Sequence, residues 1–315
     1  GDENHGDALV DHDDVHEVLG HGDTKTSVLM DSGLQVDLRE VEPSAFGAAL
    51  LYFTGSKEHN VRLRGRARDR GWTINEYGLF DEDTGEKLAG ETEESIYEAL
   101  DLNWIPPELR EDHGELDRAE TDDFSDLIEL ADLRGDCHMH TTASDGGNTL
   151  EEMVQAAHER GLDYVVITEH SRSLRVANGL EPDRLIEHVE AIRSINREVE
   201  GIQVLAGTES DILADGAMDY EDDLLEQLDL VIAAVHSKFN LSKEQQTERL
   251  TTALRHPEVD VLAHPTGRKI GQRDPYEVEM DTVLKAAADE NVTVEINANG
   301  QRLDANDRWC RRGKE

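Results

Sequence analysis

Histidines and carboxylates recur directly after short apolar runs in the second half of the sequence. In chain order they are His138, His140, Asp145, His170, Glu209, His236 and His264. A single histidine after a strand is usually a hydrogen-bonded structural residue. Five histidines after four separate runs are hard to explain in that way. Because imidazole and carboxylate ligands suit Zn²⁺, Mn²⁺ or Fe²⁺, the pattern predicts a site for several metal ions.

The chemistry that such a cluster favours is hydrolysis of a phosphoester. Neighbouring metals can lower the pKa of a bridging water and hold phosphoryl oxygens in line. The segment has no Gly-rich phosphate loop and no serine nucleophile motif. His138 and His140 share parity on their strand, so both rings point to one side. Asp136 has the same parity and is expected to orient a ligand, whereas Cys137 has the opposite parity and is not expected to bind metal.

The elements that position these residues alternate regularly from residue 134 to the end. The expected strands cover 135–138, 164–168, 203–207, 228–235, 259–263 and 292–296. The expected helices cover 149–160, 181–198, 242–255 and 277–290. This alternation predicts parallel β/α units that form a closed or nearly closed barrel, with its functional groups at the C-terminal ends of the strands.

Two further zones precede this one. Residues 1–80 read as a small α/β piece, with strands at 26–30 and 34–41 and a helix at 44–53. Ser56 is expected to cap a second helix that runs to Arg70. Residues 81–133 are acidic and polar and include Pro106 and Pro107, which suggests an ordered linker with one short helix at 93–100.

Charge is the most extreme bulk property of the sequence. Lys and Arg number 31 against 71 Asp and Glu, which gives a formal net charge of −40 at pH 7. Because the acids are spread over every segment, a salt-adapted surface is favoured over a nucleic-acid mimic or a cation buffer. Cys137 and Cys310 have no metal-type spacing, which fits a reducing cytoplasm. No apolar run is long enough to predict a membrane span.

The zone 134–315 resembles the PHP (polymerase and histidinol phosphatase) domain. The matching motifs are HxHTxxSDG at 138–146, ITEHS at 167–171, GTESDI at 207–212, AVHS at 234–237 and AHPTGR at 263–268. The resemblance implies a distorted seven-stranded barrel with up to three metals, Mn²⁺ or Zn²⁺. It assigns His138, His140 and Glu209 to the first metal and Asp145 and His170 to the second. Glu209, His236 and His264 would hold the third, and a last Asp-x-His strand is expected beyond residue 315.

Residues 1–80 resemble the palm end and thumb of family X DNA polymerases. The matching pieces are GDTKTSV at 22–28, QVDLR at 35–39, YFTGSKEHN at 52–60 and INEYG at 74–78. WIPPELREDHGEL at 104–116 resembles the bacterial and archaeal members in which this polymerase is fused to a PHP domain.

The polymerase resemblance implies a role for several residues. Asp37 would be the third catalytic carboxylate for Mg²⁺ or Mn²⁺, and the other two are expected upstream of residue 1. The residues implied to contact nucleotide or DNA are Tyr52, Phe53 and Gly55 at the sugar, and Asn60 and Arg64 at the base pair or minor groove. Arg62, Arg66 and Arg70, which lie near Arg64 and Arg68, form a basic island that favours backbone phosphate contact over ion pairing.

Together these patterns predict a fragment, truncated at both ends, of a haloarchaeal-like DNA repair polymerase. Its PHP domain is expected to act as a 3′–5′ exonuclease on DNA ends, with Arg268 and Arg302 as phosphate contacts. DNA and dNTP are the expected partners of a cytoplasmic monomer. A free-standing phosphatase acting on a small molecule such as histidinol phosphate, and a non-catalytic DNA-binding remnant, remain the alternatives.

Overall fold

The computed structural model describes residues 5–314, and they form two units whose boundary in the sequence lies between Ile128 and Glu129. The N-terminal unit contains, in chain order, α1 (His5–Val10), β1 (Val15–His21), β2 (Lys25–Met30), β3 (Gln35–Arg39), α2 (Phe46–Tyr52), α3 (Lys57–Arg68), β4 (Trp72–Asn75), β5 (Gly78–Asp81), β6 (Lys87–Ala89), α4 (Glu93–Ala99) and α5 (Glu115–Arg118). Its strands form two antiparallel sheets of three, ordered β1-β2-β3 and β4-β5-β6.

Local sequence signals explain most of these elements. The Ser56 side chain accepts a hydrogen bond from the backbone N–H of His59, which caps α3 as predicted. Thr92 caps α4 in the same way. The sequence did not predict β1, because its residues are mostly polar and lie exposed at the edge of the first sheet.

Residues 81–128 differ from the predicted linker, because they complete the core of the N-terminal unit. Ile96, Tyr97, Leu116 and Phe124 pack in one cluster with Leu63 of α3. Most acidic side chains of this segment are exposed, whereas Glu93 and Glu115 are buried and paired with Arg110 and His59. A high density of carboxylates therefore does not prevent the apolar residues between them from packing.

The C-terminal unit contains β7 (Gly135–Met139), α6 (Leu150–Glu159), β8 (Tyr164–His170), α7 (Pro182–Glu198), β9 (Gln203–Asp211), α8 (Asp222–Leu225), β10 (Leu230–Ala234), α9 (Lys243–Leu254), β11 (Val261–Leu262), α10 (Met280–Asp289), β12 (Thr293–Val294) and α11 (Asp307–Lys314). Capping boxes start α6 at Thr149 and Glu152, and α9 at Ser242 and Gln245. The strands form one parallel sheet in chain order from β7 to β12, curled into a half-barrel. The predicted α/β alternation and parallel sheet are confirmed.

The two faces of this sheet have different environments. Val165, Val204 and Val231 lie in the large apolar core of the C-terminal unit. Ile232 and Ala234, which alternate with Val231 along β10, belong to a small separate cluster on the other face. Glu209 pairs in register with Ile232, so the strand period places this carboxylate on the face opposite the main core. Among residues 5–314, no helix has the length and apolarity needed to cross a membrane.

Candidate metal centre

The predicted histidines and carboxylates meet at one edge of the parallel sheet. His138 and His170 lie at the ends of β7 and β8, and Glu209 lies near the end of β9. His170 and Glu209 are direct neighbours in the register of β8 and β9. His236 and His264 follow β10 and β11. Because the carboxyl ends of parallel strands share an edge, residues up to 126 positions apart in the chain (138 to 264) converge on one site.

Glu209 lies at the centre of this group and contacts five histidine rings. Its Oε2 lies 3.3 Å from His138 Nε2, 3.5 Å from His140 Nε2 and 2.8 Å from His170 Nδ1. Its Oε1 lies 3.2 Å from His236 Nε2 and 2.8 Å from His264 Nε2. The two carboxylate oxygens therefore serve two different sets of histidines.

The electrostatics of the cluster depend on burial and on these contacts. Burial raises the pKa of Glu209, but the charges and hydrogen bonds of His236, His138 and His170 outweigh it and hold that pKa well below its usual value. Burial lowers the pKa of His140 to about 4, and the neighbouring His170 and His138 contribute to that shift. Because His140 is neutral at pH 7, one of its ring nitrogens keeps a lone pair that a metal ion can accept.

A test of metal fit comes from buried atoms that lack a partner. Among residues 5–314, the buried Nδ1 atom of His140, which belongs to two of the ligand sets given below, has no hydrogen-bond partner. A buried polar atom without a partner is costly, and metal-ligand sets account for such atoms because each member must offer a lone pair. Three sets of three side chains offer ligand atoms within 4.8 Å of one another: His138, His140 and Glu209; His140, Asp145 and His170; His170, Glu209 and His236. These residues fit divalent cations that accept nitrogen and oxygen ligands.

Glu295 is a site residue that the sequence analysis missed. Its Oε1 lies 2.6 Å from His138 Nδ1, and its Oε2 accepts a 2.7 Å hydrogen bond from the backbone N–H of His264. A carboxylate on the far ring nitrogen fixes the orientation of a ligating histidine. The usable signal was the position of Glu295 at the end of the sixth strand run, two residues before Asn297.

Other carboxylates near the cluster have distinct contacts. Asp211 Oδ1 lies 3.3 Å from His236 Nδ1, so this ring has a carboxylate on each side. Burial opposes protonation of His236, but Glu209 and Asp211 outweigh it and raise the pKa of His236 to about 9. Asp136, the expected orienter, accepts a hydrogen bond from the backbone N–H of His138 and lines the cleft. Glu295, and not Asp136, contacts the His138 ring.

Asp145 lies on a loop that a buried glutamate holds in place. Asp145 Oδ1 is 3.5 Å from His170 Nε2. Glu169 accepts hydrogen bonds from Thr141 and Ser144, which precede Asp145 in the loop, and it lies 3.2 Å from His188 Nε2. Glu169 therefore links β8 to the segment that carries Asp145.

The cluster opens into a cleft of about 500 Å³, and Arg302 forms part of its wall. Arg268 lies behind this wall. Its Nε donates a 2.8 Å hydrogen bond to the backbone oxygen of Arg302, and its Nη2 donates to the backbone oxygen of Leu303.

The residues implied for the polymerase site lie in the N-terminal unit. Asp37 accepts hydrogen bonds from Ser27 and Gln35 and lies 3.4 Å from Lys25 Nζ. The hydrogen bond from Ser27 is the main cause of the lowered pKa of Asp37. The rings of Tyr52 and Phe53 meet edge to face with their centroids 5.0 Å apart.

Backbone contacts account for three further residues of this unit. Gly55 has φ +81°, and a Cβ there would lie 2.6 Å from the Cβ of Arg110. Asn60 donates to the backbone oxygens of Thr54 and Ser56. Arg64 donates to the backbone oxygen of Asn60 and lines a shallow groove.

Three arginines of the basic island pair with acids, while its contact with phosphate stays a prediction. Arg62 binds Asp112 and Asp117, and Arg66 binds Asp117 and Glu120. Arg70 pairs with Asp101 in the same way. The partners lie in residues 101–120, so the ion pairs join α3 to the segment that was predicted to be a linker.

Comparison with known proteins relates this geometry to a family. The family model of the PHP domain matches residues 136–299, which cover the half-barrel and its metal-ligand candidates. The chain belongs to the PHP domain family. The DNA polymerase beta thumb model matches residues 49–111. The resemblance to a polymerase thumb followed by a PHP domain is thereby confirmed, and PHP domains are metal-dependent.

Two kinds of relatives share the PHP domain. The DNA polymerase/3′-5′ exonuclease PolX of Bacillus subtilis (strain 168) is 42% identical over 298 residues, which cover 94% of this chain and 52% of that protein. Proteins named probable phosphatase are similar over about half of this chain. One from Caldanaerobacter subterraneus subsp. tengcongensis is 32% identical over 51% of this chain and 61% of its own length, and one from Shewanella baltica (strain OS195) is 30% identical over the same shares. The chain spans about half to three fifths of the length of these relatives.

Proposed function

We propose that the PHP domain hydrolyses phosphoesters at DNA 3′ ends, as a 3′–5′ exonuclease, within a DNA repair polymerase. The observation that carries the proposal is the contact of one buried carboxylate, Glu209, with five histidine rings at the open end of the sheet. The name of the Bacillus subtilis relative, which combines polymerase and 3′–5′ exonuclease, supports the choice of substrate.

Different residues of the cluster would bind different metal ions. His138 and His140 face one oxygen of Glu209, and His236 and His264 face the other, so Glu209 is suited to bridge two ions. Asp145 and His170 would hold a further ion. Bound Mn²⁺ or Zn²⁺ would supply positive charge for the phosphoryl oxygens and lower the pKa of the attacking water.

Outer carboxylates keep these ligands oriented. Glu295 fixes the His138 ring and the His264 backbone, and Asp211 faces the outer nitrogen of His236. Arg302 in the cleft wall is the proposed contact for a phosphate oxygen.

The N-terminal unit is proposed to serve nucleotide transfer. Asp37 would be one of three carboxylates for Mg²⁺ or Mn²⁺, with Tyr52, Phe53 and Gly55 at the nucleotide sugar and Asn60 and Arg64 at the base pair. DNA and dNTP are the proposed partners, and we propose a monomer in a salt-rich cytoplasm.

A small-molecule phosphatase is the second candidate. It is favoured by the relatives named probable phosphatase, which match about half of this chain. The thumb match at residues 49–111 favours DNA instead.

The test compares two substrates and one pair of variants. Purified protein with Mn²⁺ should shorten a single-stranded oligonucleotide from its 3′ end faster than it hydrolyses histidinol phosphate. His138→Ala should abolish both activities, while His158→Ala on the exposed face of α6 should leave them unchanged. Unchanged nuclease activity in His138→Ala would contradict the assignment of the nuclease site to this cluster. Faster hydrolysis of histidinol phosphate than of the oligonucleotide would favour the phosphatase. A metal content near zero together with no hydrolysis would indicate a non-catalytic remnant.

A further inference from the structure

Two segments beside the metal cleft differ from the rest of the chain in charge. None of the residues 263–273 or 296–303 is acidic, although the chain carries 71 Asp and Glu. The same segments contain four cations, Arg268, Lys269, Arg273 and Arg302. Among residues 5–314, none of these four forms a salt bridge, whereas Arg62, Arg66 and Arg118 each pair with two acids.

The two segments are held together as one structure. The carboxylate of Asp304, which is fully buried, accepts hydrogen bonds from the backbone and hydroxyl of Thr266. The backbone N–H of Ile270 donates a 2.7 Å hydrogen bond to the oxygen of Gln301. Arg268 adds the bonds to Arg302 and Leu303 described above. The cations therefore lie on a fixed surface and not on a loose tail.

The guanidinium of Arg302, a residue of the cleft wall, has a nitrogen without a hydrogen-bond partner among the described residues. Arg302 lines the cleft together with His138, His264 and Glu295. Within the described residues its Nη1 is buried and has no hydrogen-bond partner. Arg273 lies over the Phe239 ring at 3.9 Å, and its Nε donates to the backbone oxygen of Gly267. Among residues 5–314, its guanidinium pairs with no acid.

Apolar side chains lie between these cations. Ile270, Ile296 and Leu303 are each about half exposed or more, on the same two segments. A surface that interleaves cations with apolar side chains suits a nucleic-acid strand, because the cations meet phosphates while the apolar groups meet the faces of bases.

We propose that Lys269, Arg273 and Arg302 form a basic rim that binds the DNA phosphate next to the one that the cluster hydrolyses. The proposal rests on the function proposed above and narrows its substrate to a strand with at least two phosphates. Arg268 is a positioning residue, since its guanidinium donates to the backbone that carries Arg302. The rim explains how a chain of net charge −40 takes up a polyanion at this cleft.

The test uses the full chain and two readouts. The first is binding of a fluorescent single-stranded oligonucleotide to metal-free protein over a range of salt concentrations. Lys269→Met and Arg302→Met should each make the slope of log affinity against log salt less steep by about 0.7, the value for one phosphate contact on a single strand. Lys269→Arg and Arg302→Lys should retain the slope. Lys285→Met removes an exposed lysine of α10 that already pairs with Asp289, and it should change nothing.

The second readout separates failure of the rim from failure of the proposed function. With Mn²⁺, each Met variant should lose roughly tenfold more kcat/KM on the oligonucleotide than on p-nitrophenyl phosphate, mainly through KM. Equal losses on both substrates, or salt slopes that match the parent, would overturn the rim. If the slopes change as expected but neither substrate is hydrolysed, the rim stands as a binding surface and the proposed hydrolysis fails.

Discussion

Each unit of this chain buries histidine against glutamate. The two arrangements differ in whether both nitrogens of the histidine ring have a hydrogen-bond partner. In the N-terminal unit, His59 Nδ1 lies 2.6 Å from Glu115 and its Nε2 lies 3.1 Å from the Tyr97 hydroxyl. In the PHP domain, His140 and His264 contact Glu209, yet each keeps a buried Nδ1 without a partner among the described residues. Burial beside a carboxylate therefore does not mark a metal site. Several histidine rings that converge on one carboxylate and keep nitrogens without a partner do indicate one.

The neighbouring charges follow the same contrast. In the N-terminal unit, the buried Arg110 donates two hydrogen bonds to Glu93 and one to the backbone oxygen of Ile105. The Arg110 guanidinium also lies over the rings of Tyr97 and Trp104. This network is closed, so its expected role is to stabilise the fold. The PHP cluster is open to a cleft, so its expected role is to bind.

The largest expected effect is on catalysis, from Glu209→Gln. Removing the carboxylate that both histidine sets share should lower Mn²⁺-dependent hydrolysis of the oligonucleotide by at least about 10³-fold. Glu115→Gln, the matching change in the closed network, should leave hydrolysis within about twofold of the parent. Comparable rates in the parent and Glu209→Gln would erase the distinction between the two sites.

The next largest effect is on stability, from Arg110→Met. This change leaves Glu93 buried without its partner and should lower the free energy of unfolding of the N-terminal unit by about 3 kcal/mol. Hydrogen exchange of peptides from α4, measured by mass spectrometry, reports on that unit alone. The double variant Arg110→Met with Glu93→Leu should recover most of the lost free energy of unfolding. If the double variant is destabilised as much as Arg110→Met alone, the closed-network interpretation is wrong.

A smaller effect is expected from Glu295→Gln on metal affinity. The amide keeps the size of the side chain but weakens its hold on the His138 ring, so affinity should fall by about 10- to 100-fold. Competition with a chelator measures the change, and Glu290→Gln at the exposed end of α10 serves as the control. Affinity equal to that of the control would remove Glu295 from the site.

The smallest effect is the acid response of the N-terminal unit. Burial lowers the pKa of His59, so the unfolded chain binds a proton more readily and stability is lost as the pH falls below about 6.5. Burial raises the pKa of Glu115, but His59 and the backbone N–H groups of Asp112 and His113 outweigh it, so Glu115 also loses stabilising energy as the pH falls below about 4.5.

Denaturant titrations followed by hydrogen exchange should show a loss of up to about 1.4 kcal/mol per pH unit below 6.5 in the N-terminal unit. His59→Gln should flatten the response between pH 6.5 and 5.5, and His158→Gln should not. A response that stays as steep in His59→Gln would assign the acid sensitivity to other groups.

The sequence predicted much of the PHP domain because its signals are local and repeated. Each apolar run gave a strand near its expected position, and capping residues such as Thr149 and Ser242 marked the helix starts. The core role of residues 81–128 was not predictable in this way. Ile96, Tyr97 and Leu116 are separated by acidic and Pro-rich stretches, and only packing against Leu63 shows that they are interior. The partners of Arg62 and Arg66 were hidden for the same reason, since they lie about 50 residues away.

The sequence by itself determined that the histidines and Glu209 at the strand ends meet at the candidate metal centre, but not that Glu295 joins them. Once the strands are parallel and in chain order, their ends share one edge, so His138, His170 and Glu209 must converge whatever the details of packing. Only the tertiary structure decided which oxygen of Glu209 each ring faces, that Glu295 contacts His138, and that Arg62 pairs with two acids whereas Arg302, among the described residues, forms no salt bridge. These features depend on distances of a few ångströms between residues that are far apart in the chain, and no local pattern encodes such distances.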